Sequence, residues 1–342
     1  MERRFFRFTY MLLTLTLLIP AESRPALAQA LIPLRLQLVE VDPTKLPVLI
    51  AMEQGIFKKN GLDVDLYISP AAREISMRRD LYLPPEFQRT DPAQISFGGG
   101  FGIAKISYTA GYTQSRVILA TLDPLVHWKV IGIPEIKTPE DLKGRRLDDG
   151  NLGDENHVIA RLIMQKMHWD PLFDVSLLEA SPDLYTLRRG LVDALIASEL
   201  TLAGATTAGL GYHVIMETAP WKIPIPGSGI NVTREWLRDN RDTATRFLKS
   251  LVEGIAVMKK DRNAANRAMA KWFNITNPEH QKIFYDGTAD MERKPYPSVE
   301  GIKTIMKLYD SREMRKHQPE EFYDDSVMRE IDGSGFIDGL YR

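Results

Sequence analysis

The segment 46–66 constrains the fold more than any other part of this sequence. Its apolar start predicts a short helix, and Gly55 marks a break in that helix. Gly61 supplies the positive φ that a helix end or a tight turn requires. In the strand predicted over 62–68, apolar residues alternate with aspartates, which indicates one buried face. A preceding strand over 34–39 completes a strand–helix–strand unit, the opening of an α/β domain.

The N-terminus has the order of a secretory signal peptide. Basic residues precede the apolar stretch Phe8–Ile19, and the small-x-small sequence Ala26–Ala28 follows. We expect cleavage after Ala28. The apolar stretch is shorter than the roughly 20 residues that a membrane span needs. The sequence contains no cysteine, so it cannot be a lipoprotein that is anchored through a lipidated cysteine. We therefore expect a soluble protein of the periplasm, or an exported protein in a cell with a single membrane.

Composition excludes several classes of function. The chain has 342 residues, enough for two lobes, and a formal net charge of −1 with no basic stripe, so neither nucleic acid nor lipid is an expected partner. The lack of cysteine excludes disulfides, thiolate metal sites and cysteine nucleophiles. The histidines lack metal-ligand spacing, and we predict structural or surface roles for all of them. No nucleotide fingerprint or P-loop occurs, and we expect neither a cofactor nor a metal.

The alternation of predicted strands and helices divides the mature chain into two α/β lobes. We predict a first lobe over 33–124, a second lobe over 125–223, and a return to the first lobe with C-terminal helices over 224–342. One of these helices is predicted at 262–273. A helix is also predicted at 100–110, and the acidic segment 319–325 is expected to be a solvated surface.

Four segments resemble the solute-binding proteins of bacterial ABC importers, in the branch of sulfonate-, nitrate- and thiamine-precursor-binding proteins. They are the 46–66 unit, Gln94–Gly100, Thr138–Leu147 and Gly190–Leu195. The resemblance implies a two-lobed α/β fold of the periplasmic-binding-protein type (type II), with a hinge and a ligand cleft. The charged segment Arg73–Asp91, which contains two prolines, departs from the family pattern, and we expect it to loop over the surface.

The resemblance also implies a function. A monomeric receptor would capture a small organic solute by closing its lobes, and would deliver it to an ABC permease in the inner membrane. One alternative is an enzyme on the same fold, although relatives of that kind use cysteine, which this sequence lacks. A second alternative is a solute sensor that docks on a membrane partner. Neighbouring permease and ATPase genes would favour the importer.

A solute between the lobes would contact the loops that follow the strands. The first-lobe candidates are Asp42, Thr44, Lys45, Gly98, Gly99, Gly100 and Phe101. A glycine run lets backbone N–H groups approach a ligand, and the alternative is an ordinary tight turn.

The second-lobe candidates are Trp128, Asn151, Gly153, Asp154, Glu199 and Thr201. The stretch 148–155 carries four acids, which would repel an anion, so we expect a neutral or cationic ligand. The alternative is that these acids cap the following helix and face water. Trp128 is either a stacking platform for a planar ligand or a buried core residue.

Overall fold

The computed structural model describes residues 30–78, 83–84, 92–179 and 184–342. Within this part of the chain, Leu31–Arg342 form one compact unit. The predicted signal peptide lies outside the described residues, as does most of the segment 79–91. No described helix combines the length and the apolar character that crossing a membrane demands.

Ten strands form two sheets. They are β1 (Ile32–Leu38), β2 (Leu62–Ile68), β3 (Ile95–Phe97), β4 (Arg116–Thr121), β5 (Lys129–Gly132), β6 (Arg146–Asp148), β7 (Ser176–Leu178), β8 (Ala194–Ala197), β9 (His213–Glu217) and β10 (Gly229–Thr233). The first sheet has the order β2-β1-β3-β10-β4, and the second has the order β7-β6-β8-β5-β9. In each described sheet four strands run in the same direction, and the strand entering from the other sheet, β10 or β5, runs antiparallel to both of its neighbours. This is a pair of α/β lobes, as the sequence predicts.

The helices surround these sheets. They are α1 (Leu46–Glu53), α2 (Ile56–Lys59), α3 (Pro70–Arg78), α4 (Glu155–Met167), α5 (Leu184–Arg188), α6 (Glu199–Thr207), α7 (Arg234–Asp239), α8 (Arg241–Lys260), α9 (Arg262–Phe273), α10 (Pro278–Asp286), α11 (Val299–Leu308), α12 (Ser326–Gly333) and α13 (Phe336–Gly339). Side-chain caps fix several of their starts. Thr233 accepts from the N–H of Trp236 at 3.1 Å, and Asp261 accepts from the N–H of Asn263 at 2.9 Å.

Two large apolar clusters hold the unit together. The first joins the first sheet to α1, α8, α9 and α12. In this cluster α8 lies very close to α1. A Cβ on Gly254 of α8 would lie only 2.2 Å from the carbonyl oxygen of Pro47 in α1. The second cluster joins the second sheet and α4 to α11 and to the segment 101–106. A C-terminal helix therefore shares a core with the second sheet.

The chain crosses between the sheets twice, and the two crossings pair with each other. Leu125 and Pro224 form an antiparallel bridge. The N–H of Val126 donates to Ile223 O at 3.0 Å, and the N–H of Ile225 donates to Pro124 O at 2.9 Å. The predicted boundaries between 124 and 125 and between 223 and 224 fall inside these crossings, and as domain boundaries they remain a prediction.

Helix α11 lies directly against the return crossing. A Cβ on Gly301 would lie 2.0 Å from the carbonyl carbon of Ile225, so only glycine fits there. At the other end of α11, the Tyr309 hydroxyl donates to Nδ1 of His157 on α4 at 2.7 Å. The helix therefore spans from the hinge to the second lobe.

Two local predictions were wrong. The helix predicted over 100–110 is a 3₁₀ helix, Gly100–Ser107. The segment 319–325 is not a solvated surface throughout, because Phe322 is 2% exposed. Its backbone pairs with β4: the N–H of Ile118 donates to Phe322 O at 2.9 Å, and the N–H of Asp324 donates to Ile118 O at 3.0 Å.

Candidate functional site

A cavity of about 790 Å³ lies where loops from the two sheets meet. One wall consists of the loops that follow β1, β3 and β4. The opposite wall consists of the loops that follow β6 and β8. The cavity also extends beside α3 and the start of β4. Ligands of open α/β sheets bind at the carboxyl ends of the strands, so this is the place where the fold would hold a solute.

Most of the residues predicted from the sequence lie in this wall. They are Asp42, Thr44, Gly98, Gly99, Phe101, Trp128, Asn151, Gly153, Asp154 and Glu199. The position of a residue in the wall does not establish that it binds a ligand, and their role as ligand contacts remains a prediction.

Lys45, Gly100 and Thr201 do not line the cavity. Lys45 is fully buried behind it. A Cβ on Gly100 would lie 2.4 Å from Gly227 O, so this glycine serves the contact with the return crossing. Thr201 is 1% exposed, and its N–H donates to the capping Ser198 hydroxyl.

The buried ammonium of Lys45 holds two carboxylates at the first wall. Its Nζ lies 2.8 Å from Glu40 and 2.9 Å from Asp42, and it donates to the hydroxyls of Thr44 and Ser228. Burial alone would lower the pKa of Lys45, yet Asp42 and Glu40 raise it, so the lysine stays charged. One positive charge is shared by two carboxylates, and one negative charge is left over.

A second group of the same kind lies where the chain enters the second lobe. His127 is 3.1 Å from Asp123 and 3.2 Å from Glu199. Burial would lower the pKa of the ring, but Asp123 and Glu199 together raise it to about 12. His127 is therefore protonated, and again two carboxylates share one cation. We predicted a structural or surface role for this histidine, whereas the structure places it in the cavity wall.

Glu155, the first residue of α4, faces these groups across the cavity. No hydrogen bond or ion pair holds its carboxylate within the part of the chain that the structure describes. Burial raises the pKa of Glu155 well above its usual range, and the negative charges of Glu40, Asp42 and Asp123 raise it further. The position of Glu155 at the N-terminus of α4 favours its ionised form, but this effect is smaller than the opposing effect of the three negative charges.

The acids of the stretch 148–155 divide into two groups. Asp154 and Glu155 line the cavity. Asp148 and Asp149 do not; they are buried, with exposures of 0% and 3%. The alternative that these acids face water is therefore wrong for this second pair. The pKa of Asp149 rises to about 6, first because of burial and next because of Asp148.

The two walls touch at the rim of the cavity. The Tyr108 hydroxyl donates to Leu152 O at 2.9 Å, and Lys105 lies 3.7 Å from Asp154. Gly153 is required beneath Tyr108, because a Cβ there would overlap the phenolic oxygen. These contacts join the two walls at the rim of the cavity.

The remaining wall combines aromatic and polar groups. Trp128 is 5% exposed and stacks on His127, with ring centroids 4.3 Å apart, so it is a buried residue of the wall, and its role as a stacking platform for a ligand remains a prediction. The Arg116 guanidinium donates to the backbone oxygens of Gln94, Asn231 and Ala93. No group of three or more His, Asp or Glu among the described residues is arranged to hold a metal ion.

Sequence reasoning missed Glu40, Asp123, Glu155 and Ser228 as wall residues. A signal was available for the first two, because both follow the ends of strands that run toward the cavity. Glu155 was considered only as part of an acidic stretch. Ser228 reaches the wall through the return crossing, which no local pattern indicates.

The sequence matches no protein-family model and no curated protein. Several solved structures share its fold. The periplasmic aliphatic sulphonate binding protein SsuA from Escherichia coli is 15% identical, with a TM-score of 0.62 over 85% of this chain and 99% of that chain. The periplasmic nitrate-binding protein NrtA from Synechocystis PCC 6803 is 14% identical, with a TM-score of 0.65 over 89% of each chain.

A desulfurization enzyme, DSZB, is also similar, with 14% identity and a TM-score of 0.61 over 89% of this chain and 99% of that chain. At such identities the likeness establishes the fold, and the fold hosts both binding proteins and an enzyme. The part of the chain that the structure describes therefore has the periplasmic binding protein fold, in the form seen in the sulfonate- and nitrate-binding proteins.

Proposed function

We propose that this protein is the substrate-binding component of an ABC importer. It would be exported to the periplasm, capture a small organic solute between its lobes, and present the closed form to a membrane permease. One observation carries the proposal: the cavity of about 790 Å³ lies between the two sheets, beside both crossings. A solute there would contact both lobes at once and so stabilise the closed arrangement.

Binding without turnover is the simpler chemistry for this site. The similar enzyme DSZB leaves catalysis on this fold open. However, the sequence has no cysteine nucleophile, and the carboxylates at Lys45 and His127 are held in ion pairs. We therefore propose a receptor and not an enzyme.

The experiment starts from the full chain expressed with its own N-terminus and recovered from a periplasmic extract. Intact mass is expected to show a chain that begins at Gln29. Small molecules released by denaturation are identified by mass spectrometry and returned to the refolded, empty protein. The bound solute should raise the melting temperature and reduce the radius of gyration in small-angle scattering.

Three results would contradict the proposal. The solute could leave the radius of gyration unchanged, the protein could convert it to a product of different mass, or no compound from the extract could stabilise the protein. Conversion would favour the enzyme. Absence of any stabilising solute would favour a protein that acts only through a partner.

A further inference from the structure

The charges of the cavity wall do not balance. Lys45 is shared by Glu40 and Asp42, and His127 is shared by Asp123 and Glu199. Each set has one acid more than it has cations, and burial raises the pKa of one acid in each set, Glu40 in the first and Asp123 in the second. Glu155 adds a carboxyl group without a hydrogen bond or ion pair to the described residues; burial and the acids around it raise its pKa, so a positive charge in the cavity would favour its ionised form.

Among the described residues, the basic groups of the wall offset this excess only in part. Arg116 is occupied by three backbone oxygens, and Lys105 lies near Asp154 at the rim. An anion in the cavity would therefore meet unbalanced carboxylates on both sides, at a cost that the low dielectric of a closed site increases.

A separate observation points to a hydrogen-bond donor on the solute. Asn231 lines the cavity and is 4% exposed, and its side-chain oxygen has no hydrogen-bond partner in the described residues. Its side-chain nitrogen is occupied, because it donates to Gly229 O at 2.8 Å and also to Gly98 O, and this fixes the oxygen as the free acceptor. A buried acceptor without a donor is costly, and a solute N–H group that reached this oxygen through a small shift of the wall would stabilise it.

The unbalanced acids lie on both sides of the closed cavity. Glu40 and Asp42 follow β1 of the first sheet, while Glu155 and Glu199 begin α4 and α6 of the second lobe. In an empty closed cavity these acids repel one another, and Glu155 reduces the repulsion by retaining its proton. A cation between them would turn this repulsion into attraction to both walls.

We propose that the solute carries a positively charged nitrogen, which lies between Glu155 and the Glu40–Asp42 pair and draws the lobes together. This inference rests on the proposed function, since it names the charge class of the solute held in that same cavity. The aromatic face of Phe101 in the wall would add a cation–π contact. From the sequence we expected a neutral or a cationic ligand, and the proposed solute is the cationic one of these two classes.

The test uses probes that share a shape and differ in charge. Benzylammonium, benzyl alcohol and benzenesulfonate are titrated into the full mature protein at pH 7.5 by calorimetry and thermal shift. Methylammonium, putrescine, nitrate and taurine extend the series in size. We expect at least one ammonium probe to bind at least tenfold more tightly than any neutral or anionic probe.

Two variants locate the contact. Glu155→Gln keeps the shape of the side chain and removes its charge, and it should weaken ammonium binding at least tenfold. Glu135→Gln is the matched control, because Glu135 is exposed on the second lobe and does not line the cavity. It should bind within twofold of the wild type. Because Glu155 has no hydrogen bond or ion pair to the residues that the structure describes, its replacement should not unfold the protein.

The inference is wrong if a sulfonate, nitrate or neutral probe binds best, if no amine binds, or if Glu155→Gln binds ammonium as the wild type does. These failures differ from failure of the proposed function. A released solute without positive charge that closes the lobes would overturn the charge class and leave the receptor intact.

Discussion

At the scale of single residues, the most consequential side chain is Lys45. It is fully buried, contacts Glu40 and Asp42, and lies 4.3 Å from the centre of the Phe97 ring. Its ammonium also donates to Ser228 at the start of the return to the first sheet. One charge thus joins the loop after β1 to the hinge region.

Replacing Lys45 by methionine should strongly destabilise the protein. Two carboxylates would lose their counter-charge in a poorly solvated place, and breaking such a pair costs about 3–5 kcal/mol. Urea unfolding at pH 7 measures the loss. Lys58→Met, at an exposed position, is the control and should change stability by less than about 1 kcal/mol. Equal losses in the two variants would mean that the buried ion pairs contribute nothing.

Asp149 gives the protein a pH dependence that can be isolated. Its pKa is raised to about 6, and the nearby groups are Asp148, Glu179, Arg161 and His157. Since the folded state holds the proton more tightly than the unfolded chain, the stability from this group is full below about pH 4. It is lost as the pH rises through about 6.

Asp149→Asn should remove this loss. Relative to wild type, the variant should gain about 2 kcal/mol of unfolding free energy on going from pH 4 to pH 7.5. Urea unfolding at both pH values measures the difference. The exposed Asp63→Asn is the control and should show no such gain. An Asp149→Asn variant that differs from wild type equally at both pH values would show that folding does not shift the pKa of Asp149.

At the scale of elements, the contact between α11 and the return crossing can be tested through Gly301. Helix propensity alone predicts that alanine stabilises this position, by up to about 1 kcal/mol. The structure predicts the opposite, because the added Cβ would lie 2.0 Å from the backbone of Ile225. Gly301→Ala should therefore cost about 1–3 kcal/mol by overpacking.

The matched control is Gly333→Ala, in α12, where an added Cβ meets nothing within 4 Å. It should be neutral or stabilising in the same thermal unfolding measurement. If both alanine variants gain stability, α11 does not press on the crossing as described.

The elements also show how far sequence reasoning reaches. Strand β2 and helix α9 begin and end where the sequence predicts, since alternation and a capping aspartate are local signals. The segment 319–325 was mistaken for a solvated surface, because its backbone partner, Ile118, lies far away in the chain. Its burial depends on tertiary contacts, which a local sequence pattern does not indicate.

At the scale of the whole molecule, the same distinction applies to the site. The order of the strands and the family resemblance together predicted which loops form the cavity. The ion pairs of the wall were not predicted. Lys45 and Asp123 have acidic or basic partners within five residues, but Ser228 and Glu199 reach these groups from distant parts of the chain. The charge of the wall is a property of the assembled lobes.

Helix α11 bears on how the lobes would open when no solute is bound. It presses on the return crossing at Gly301, and its end binds α4 through Tyr309, yet it does not line the cavity. Opening the lobes must carry this helix along or break one of its two attachments. In the proposed receptor, a helix that does not line the cavity would therefore influence how often the lobes close without solute, and so how often the empty protein would dock on a permease.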